Sequence, residues 1–326
     1  MSSPSVLHVN DAAFTAERMI AEARRRGLSW DLLPKAAPDQ AWPGLGGQAR
    51  RALIGGRWVA RLALQARRHD IVHVHSASTV AHSRWGAPRF VLHCHGTDVR
   101  TAQYSPSRGP AIVEALHRAE AVLYSTPDLA EHVLPHRPEA AYLPVPIDVD
   151  AVPEWAPAPG RPQVVFASRW SPDKGVETQL AVARDLVARF GSRIDLVGLD
   201  WGPCSADAAA AGVRLLPRTG HGAYLALLAG ASVVIGQSAG ILAASELEAL
   251  AAGAPVVVPV PLPLYEQPPL VAVPAAGTAD AVGALLEGDR THDADAVRRW
   301  TRSTHGVAGA VDTVEGLHRD VLAVRG

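Results

Sequence analysis

Short apolar, β-branched runs alternate along the chain with longer stretches in which apolar residues recur every three or four positions. Residues 6–9, 71–74, 90–93 and 121–124 read as strands, and 15–26, 50–68 and 127–134 as helices. Strands that are apolar throughout are covered on both faces, as in a parallel sheet flanked by helices. Pro153, Pro157, Pro159 and Pro162 then mark a linker. A second series follows it, with strands at 164–167, 194–197, 213–216, 233–235 and 256–258 and a helix at 174–190. The pattern predicts an α/β protein of two Rossmann-like, doubly wound parallel-sheet domains, at 1–150 and 151–305. Ligands of such sheets bind beyond the carboxyl ends of the strands, here in a central cleft faced by both domains.

Composition sharpens this picture in a few places. The 326 residues suffice for two hydrophobic cores. The net charge of -1 excludes a general polyanion binder but not a local anion site. It conceals 17 basic against 14 acidic side chains in 1–150, and 14 against 18 in 151–326. Cys94 and Cys204 are too few for a disulfide framework or a zinc cluster. Residues 222–245 carry no charge, but Gly230, Gly236, Gln237, Ser238 and Gly240 break them into helix, strand, turn and helix. The apolar run at 6–9 is too short for a signal peptide, so the protein is read as soluble and cytoplasmic.

Two segments carry candidate chemistry. In Val164-Val-Phe-Ala-Ser-Arg-Trp-Ser-Pro-Asp-Lys-Gly175 a strand runs into a loop and a helix. Arg169 and Lys174 therefore lie at the strand's carboxyl end, beside unpaired helical N–H groups, an arrangement that suits a diphosphate. In Ser245-Glu-Leu-Glu-Ala-Leu-Ala-Ala-Gly-Ala-Pro-Val-Val257, Glu248 offers a carboxylate to a ribose, as acidic residues do in other nucleotide folds. A pair of solvated loop cations and a solvated helix-face glutamate are the plainer readings.

Together these segments resemble the Arg…Lys-Gly and Glu-Ala-x-Ala-x-Gly-x-Pro-Val signatures of GT-B glycosyltransferases, specifically retaining family four. Asp70-Ile-Val-His-Val-His75, His93-Cys-His-Gly-Thr-Asp-Val-Arg100, Ser125-Thr-Pro-Asp128 and Tyr142-Leu-Pro-Val-Pro-Ile-Asp148 agree with that family in order and spacing. The resemblance implies transfer of a sugar from a nucleotide-diphosphate sugar to a small-molecule or glycan acceptor, with retention, no metal and no cofactor. It implies that Arg169 and Lys174 hold the diphosphate, that Glu248 holds the ribose, and that His95 and Gly96 lie beside the reacting sugar. Gln237, Ser238, Gly240 and Ile241 fall in the donor loop. It also implies that a last helix, at 307–324, packs back on the first domain.

Two departures stand out. Asn10-Asp-Ala-Ala-Phe-Thr15 replaces the family's frequent Gly-Gly after the first strand, and Gly240 stands where a first glutamate contacts the donor sugar. The second departure keeps a GT-B-like binding protein without catalysis among the alternatives. Gly236-Gln-Ser-Ala-Gly240 also fits the nucleophile elbow of an α/β serine hydrolase, with Asp280 or Asp293 and His305 as triad partners. Against it, the His95-Gly96 segment lies far upstream of Ser238 and little chain follows Ser238. Asp148-Val-Asp150 reads as a turn, not a metal site. Gly44-Leu-Gly-Gly-Gln-Ala49 follows Trp42-Pro43 instead of a strand, so it is no dinucleotide fingerprint. His73, His75, His93 and His95 alternate near strand ends; metal ligation is one reading, and strand-end histidines with one near the cleft are the commoner outcome. Arg50, Arg51, Arg57, Arg61, Arg67 and Arg68 oppose an apolar stripe of Ile54, Trp58 and Leu62. They read as a solvated face or, more sharply, as a contact with anionic lipid or an anionic acceptor.

Overall fold

A computed structural model describes residues 3–35 and 44–325, apart from the side chain of Leu45. Trp42 and Pro43, which bear on the fingerprint reading, lie outside the described residues. The chain divides into two compact units, Met1–Pro146 with Val307–Gly326, and Ile147–Gly306.

Among the described residues the first unit holds six strands: β1 (Val6–Val9), β2 (Trp30–Leu33), β3 (Ile71–His75), β4 (Val91–Cys94), β5 (Ala121–Tyr124) and β6 (Ala141–Tyr142). They form one sheet in the order β2-β1-β3-β4-β5-β6, parallel throughout. Strand alternation divides the side chains between two cores. Leu7, Val9, Val72, Val74, Leu92 and Cys94 pack with Trp58, Leu62, Ile112 and Leu116 on one face. Val6, Ile71, Val91 and Leu123 pack with Met19, Val311, Val314 and Val321 on the other. The last three belong to the helix Val307–Arg325, which thus completes this unit's second layer.

Trp58 and Leu62 of the helix Gly44–Ala66 are buried, and its four arginines, like Arg67 and Arg68 just beyond it, are exposed, so its apolar stripe is a core face. The sequence pattern does not reveal β2, because Trp30-Asp31-Leu32-Leu33 carries a charge and is a lone four-residue run.

The second unit repeats the plan with β7 (Gln163–Phe166), β8 (Asp195–Leu199), β9 (Arg214–Leu216), β10 (Val233–Ile235), β11 (Val256–Val258) and β12 (Val271–Ala272). Their order is β12-β11-β10-β7-β8-β9, again all parallel. The uncharged stretch 222–245 resolves into the helix His221–Ala229, β10 and the start of the helix Ala244–Ala252. Among the described residues no helix is long and apolar enough to cross a membrane. The proline-rich segment is no free linker. Trp155 N, Ala156 N and Ala158 N donate to Ala252 O, Ala229 O and Gly230 O, at 2.8, 2.9 and 3.1 Å. Trp155 Nε1 donates to Ala231 O at 2.7 Å, so the segment is strapped along the second unit.

Candidate functional site

In the second unit β7 and β10 are neighbours although β8 and β9 intervene in sequence, so the chain reverses its winding direction between them. Loops at the carboxyl ends of two such strands diverge and leave a crevice, the usual ligand position of an open α/β sheet. The predicted residues Arg169 and Lys174 lie on the loop after β7, and Gln237, Ser238, Gly240 and Ile241 on the loop after β10.

Trp170 anchors the first loop. It is fully buried, packs on Phe166 at 5.1 Å between ring centres, and donates from Nε1 to Leu199 O at 3.1 Å. Arg169 and Ser171 are thereby fixed on either side of it. Arg169 Nε donates to Ser171 Oγ at 3.0 Å, and a second guanidinium nitrogen pairs with Asp173. Burial pushes the Asp173 carboxyl up, but hydrogen bonds from Ser171 and Arg169 and the charge of Lys174 outweigh it and hold it below the usual range. Arg169 and Arg218 both lie near the Trp201 ring, at 6.0 and 5.1 Å from its centre. Arg218 is a further cation that the motif reading did not single out.

The two loops are joined by their backbones. Ser238 N donates to Lys174 O at 3.1 Å, and the buried Gln179 donates to the same carbonyl at 2.7 Å. Gly175, at φ 71°, opens the helix Val176–Phe190; a β-carbon there would stand 2.7 Å from Ser238 Cβ. Glycine is therefore required by both conformation and space. Gln237 Nε2 donates to Ile241 O at 3.1 Å, which closes the β10 loop on itself. Gln237 Oε1 and Ser238 Oγ are buried without hydrogen-bond partners. The side-chain direction of Gly240 meets nothing within 4 Å, leaving room for another molecule to approach the backbone.

The motif reading missed Glu246, on which the β10 loop is built. It is fully buried and accepts from Gln237 N through Oε1 and from Ala243 N through Oε2, both at 2.8 Å. Burial raises its carboxyl above the usual range, against the pull of the backbone donors and of Lys174. The signal was faint: glutamate at the third position of a helix commonly reaches back to the capping amide, but Ala243 cannot reciprocate. Glu248, two residues on, is 3% exposed and pairs with His221 Nε2 at 2.8 Å, so it is not a solvated helix residue. Tyr224 OH donates to Ala167 O at 2.6 Å, and burial pushes its hydroxyl well above the usual range.

In the first unit His95 and Gly96 follow β4. Asp98 ties their loop to the one after β3, accepting from Ala77 N at 2.8 Å, Gly96 N at 2.9 Å and His95 N at 3.2 Å. Burial holds the His95 ring down at about 4 despite the Asp98 charge, so it is neutral at physiological pH. After β1, where the expected glycines are missing, Asn10, Ala13 and Phe14 adopt φ of 69°, 52° and 60°. The left-handed backbone is kept without glycine, a strain of the kind that accumulates at functional loops.

The hydrolase reading is not favoured, because its candidate acids are engaged elsewhere. Asp293 caps the helix Ala294–His305 at its first residue, donating nothing and accepting from Ala296 N at 2.9 Å, while His305 ends that helix. At about 1.5 Å per residue they stand ~18 Å apart. Asp280 pairs with Arg189.

No protein-family model matches the sequence, and no curated protein matches it. Solved structures do. A UDP-forming α,α-trehalose-phosphate synthase from Burkholderia xenovorans superposes with a TM-score of 0.72 at 12% identity, covering 98% of this chain and 100% of that one. Sucrose-phosphate synthase from Thermosynechococcus elongatus gives 0.69 at 13%, with 98% and 100% covered. AviGT4, a glycosyltransferase involved in avilamycin A biosynthesis, gives 0.62 at 20%, with 98% of each chain covered. The chain has the two-domain α/β fold of these glycosyltransferases, the GT-B architecture that its motifs predict.

Proposed function

We propose that the protein transfers a glycosyl group from a nucleoside-diphosphate sugar to an acceptor hydroxyl. The observation that carries this reading is the joining of the Arg169–Lys174 loop to the Gln237–Ile241 loop at the reversal point between β7 and β10. It provides two cations and a helix start at the position where this kind of sheet takes ligands. As the bond from the anomeric carbon to the diphosphate oxygen breaks, its electron pair passes to that oxygen. The acceptor oxygen bonds to the anomeric carbon and gives up its proton. Negative charge thus grows on the leaving group, where Arg169 and Lys174 act as fixed counter-charges, ordinarily the largest catalytic contribution. Arg169 is suited to this because Asp173, Ser171 and Trp201 hold it in place before any ligand arrives.

Glu248, oriented by His221, is assigned to the ribose, and the open backbone at Gly240 to the donor sugar. The roles of His95 and Gly96 beside the sugar, retention, independence of metal and cofactor, and a cytoplasmic location rest on the family resemblance and belong to the proposal. So does contact of the exposed arginines of Gly44–Ala66 with an anionic surface.

Thermal shift with UDP, GDP, ADP and dTDP tests the donor site, since a ligand of the folded state raises its stability. At least one nucleotide should raise the Tm, and Arg169→Ala should remove most of that rise. No shift with any of the four, or an undiminished shift in the variant, would overturn the assignment.

A further inference from the structure

Six histidines of the first unit meet on one face of its sheet. His8↔His73 and His75↔His93 are register partners on adjacent strands, and His95 follows two residues after His93. Strand alternation therefore points His8, His73, His75 and His93 to the same side, and His318 reaches them from the helix Val307–Arg325. His8 Nδ1 and His75 Nε2 are 2.9 Å apart, as are His75 Nδ1 and His95 Nε2; His73 Nδ1 and His318 Nε2 are 3.1 Å apart. The sequence pattern reads four of these as strand-end histidines, with metal ligation as the less common alternative. The fold makes them a single cluster.

His93 is the member that hydrogen bonding does not explain. It is fully buried, and neither of its ring nitrogens has a partner. Leaving buried polar atoms unpaired costs about 1–3 kcal/mol each, and their presence in a native core calls for a reason. Its ring centre lies 4.1 Å from that of His95 and 5.4 Å from that of His75. One nitrogen from each of His75, His93 and His95 falls within 4.8 Å of the other two.

We propose that His75, His93 and His95 bind one divalent late transition-metal ion, of the zinc, cobalt or nickel class. Imidazole is a favoured ligand of these metals, whereas magnesium and calcium favour oxygen. A neutral imidazole offers one ring-nitrogen lone pair to a metal. At a zinc–nitrogen distance of about 2.0–2.1 Å, tetrahedral ligands stand ~3.3 Å apart. The rings of His75 and His95 then turn about χ2 so that their hydrogen bond opens slightly and both lone pairs converge on the ion.

The surroundings suit such a site. With His75 Nδ1 on the metal, its Nε2–H donates to His8 Nδ1, the outer bond that ordinarily fixes the tautomer of a ligating histidine. Asp98, whose charge acts on His95, supplies a nearby negative group. His95 is partly exposed and gives the ion an entrance. Three imidazoles leave a fourth position for water. Ligation through His95 Nε2 would also fix that residue as an Nδ1–H donor. The ligand set needs no sugar donor: His95 is the one residue it shares with the proposed transferase site, whereas His75 and His93 belong to the metal site alone, so metal binding and nucleotide binding can be measured and can fail separately.

The test is a calorimetric titration of the full, tag-free chain after EDTA treatment and dialysis, with Zn²⁺, Co²⁺ and, as a control, Mg²⁺. One equivalent of Zn²⁺ and of Co²⁺ should bind, Co²⁺ with the intense visible bands of a four-coordinate ion, and Mg²⁺ should not. X-ray absorption of the zinc form should count three imidazoles. His93→Phe and His95→Ala should each weaken binding by more than the ~10–100-fold expected for an outer-shell partner. His318→Asn alters a residue that bonds to His73 and packs near Trp30, neither of them a proposed ligand, and should keep the parent affinity. If His93→Phe fails to fold, His95→Ala on its partly exposed loop and the ligand count still decide. Parent-like affinity in His95→Ala, fewer than three imidazoles, or loss of binding in His318→Asn would overturn the site.

Discussion

Glu246→Ala offers a quantitative test of how the candidate donor loop is held. The substitution removes the acceptor of two backbone N–H groups, those of Gln237 and Ala243, each now bonded at 2.8 Å. Unsatisfied buried donors cost about 1–3 kcal/mol apiece, and bonds to a charged acceptor lie at the upper end. Against this stands relief from burying a carboxylate, which the upward displacement of its pKa records. The balance is a loss of about 2–4 kcal/mol at neutral pH. That corresponds to roughly 30- to 1000-fold in a local opening equilibrium.

The pH dependence has a definite sign. Because the folded state raises the pKa above the ordinary 4.5, folding binds a proton at Glu246 more tightly than the unfolded chain does. Its titration takes stability away as pH rises from about 4.5 through the folded value, so the parent's advantage over Glu246→Ala should be larger in acid than at neutral pH. Urea unfolding at several pH values measures the gap, and amide exchange at Gln237 and Ala243 locates it. Exchange at both amides rising by less than ~5-fold, or a gap that widens with increasing pH, would refute the reasoning.

Other consequences can be measured on the same protein. Gly202→Ala should destabilise the second unit by more than ~2 kcal/mol, because the residue sits at φ 121° and a β-carbon would lie 2.3 Å from Trp170 O. A near-parent Tm with full nucleotide binding would show that Trp170 does not anchor the Arg169 loop. Burial holds His318 at about 3, aided by the charge of Arg325, so its contribution is complete above the unfolded value of 6.5 and is lost as pH falls below it. The loss is about 1.4 kcal/mol per pH unit. His318→Asn should therefore flatten the acid limb of the stability profile by one proton, and an unchanged slope would contradict its burial in neutral form.

The sequence by itself determined the layered α/β plan. Uninterrupted apolar strands such as Val233–Ile235 and Val256–Val258 must be covered on both faces, a local demand that needs no knowledge of neighbours. It also placed Arg169 and Lys174 on a loop between strand and helix, since apolar period and glycine position are local signals. Strand order lay beyond it. Only the folded chain sets β10 beside β7 and so brings Ser238 onto Lys174. Glu246 illustrates the same limit, for a carboxylate's value depends on the donors that surround it, and these come from the far side of a loop. The histidines show it most plainly. Alternation along each strand predicts which face a ring takes, but which rings share that face depends on register between segments up to 245 residues apart. Tertiary structure decided this because interstrand pairing and helix docking are long-range packing choices, and no local pattern encodes them.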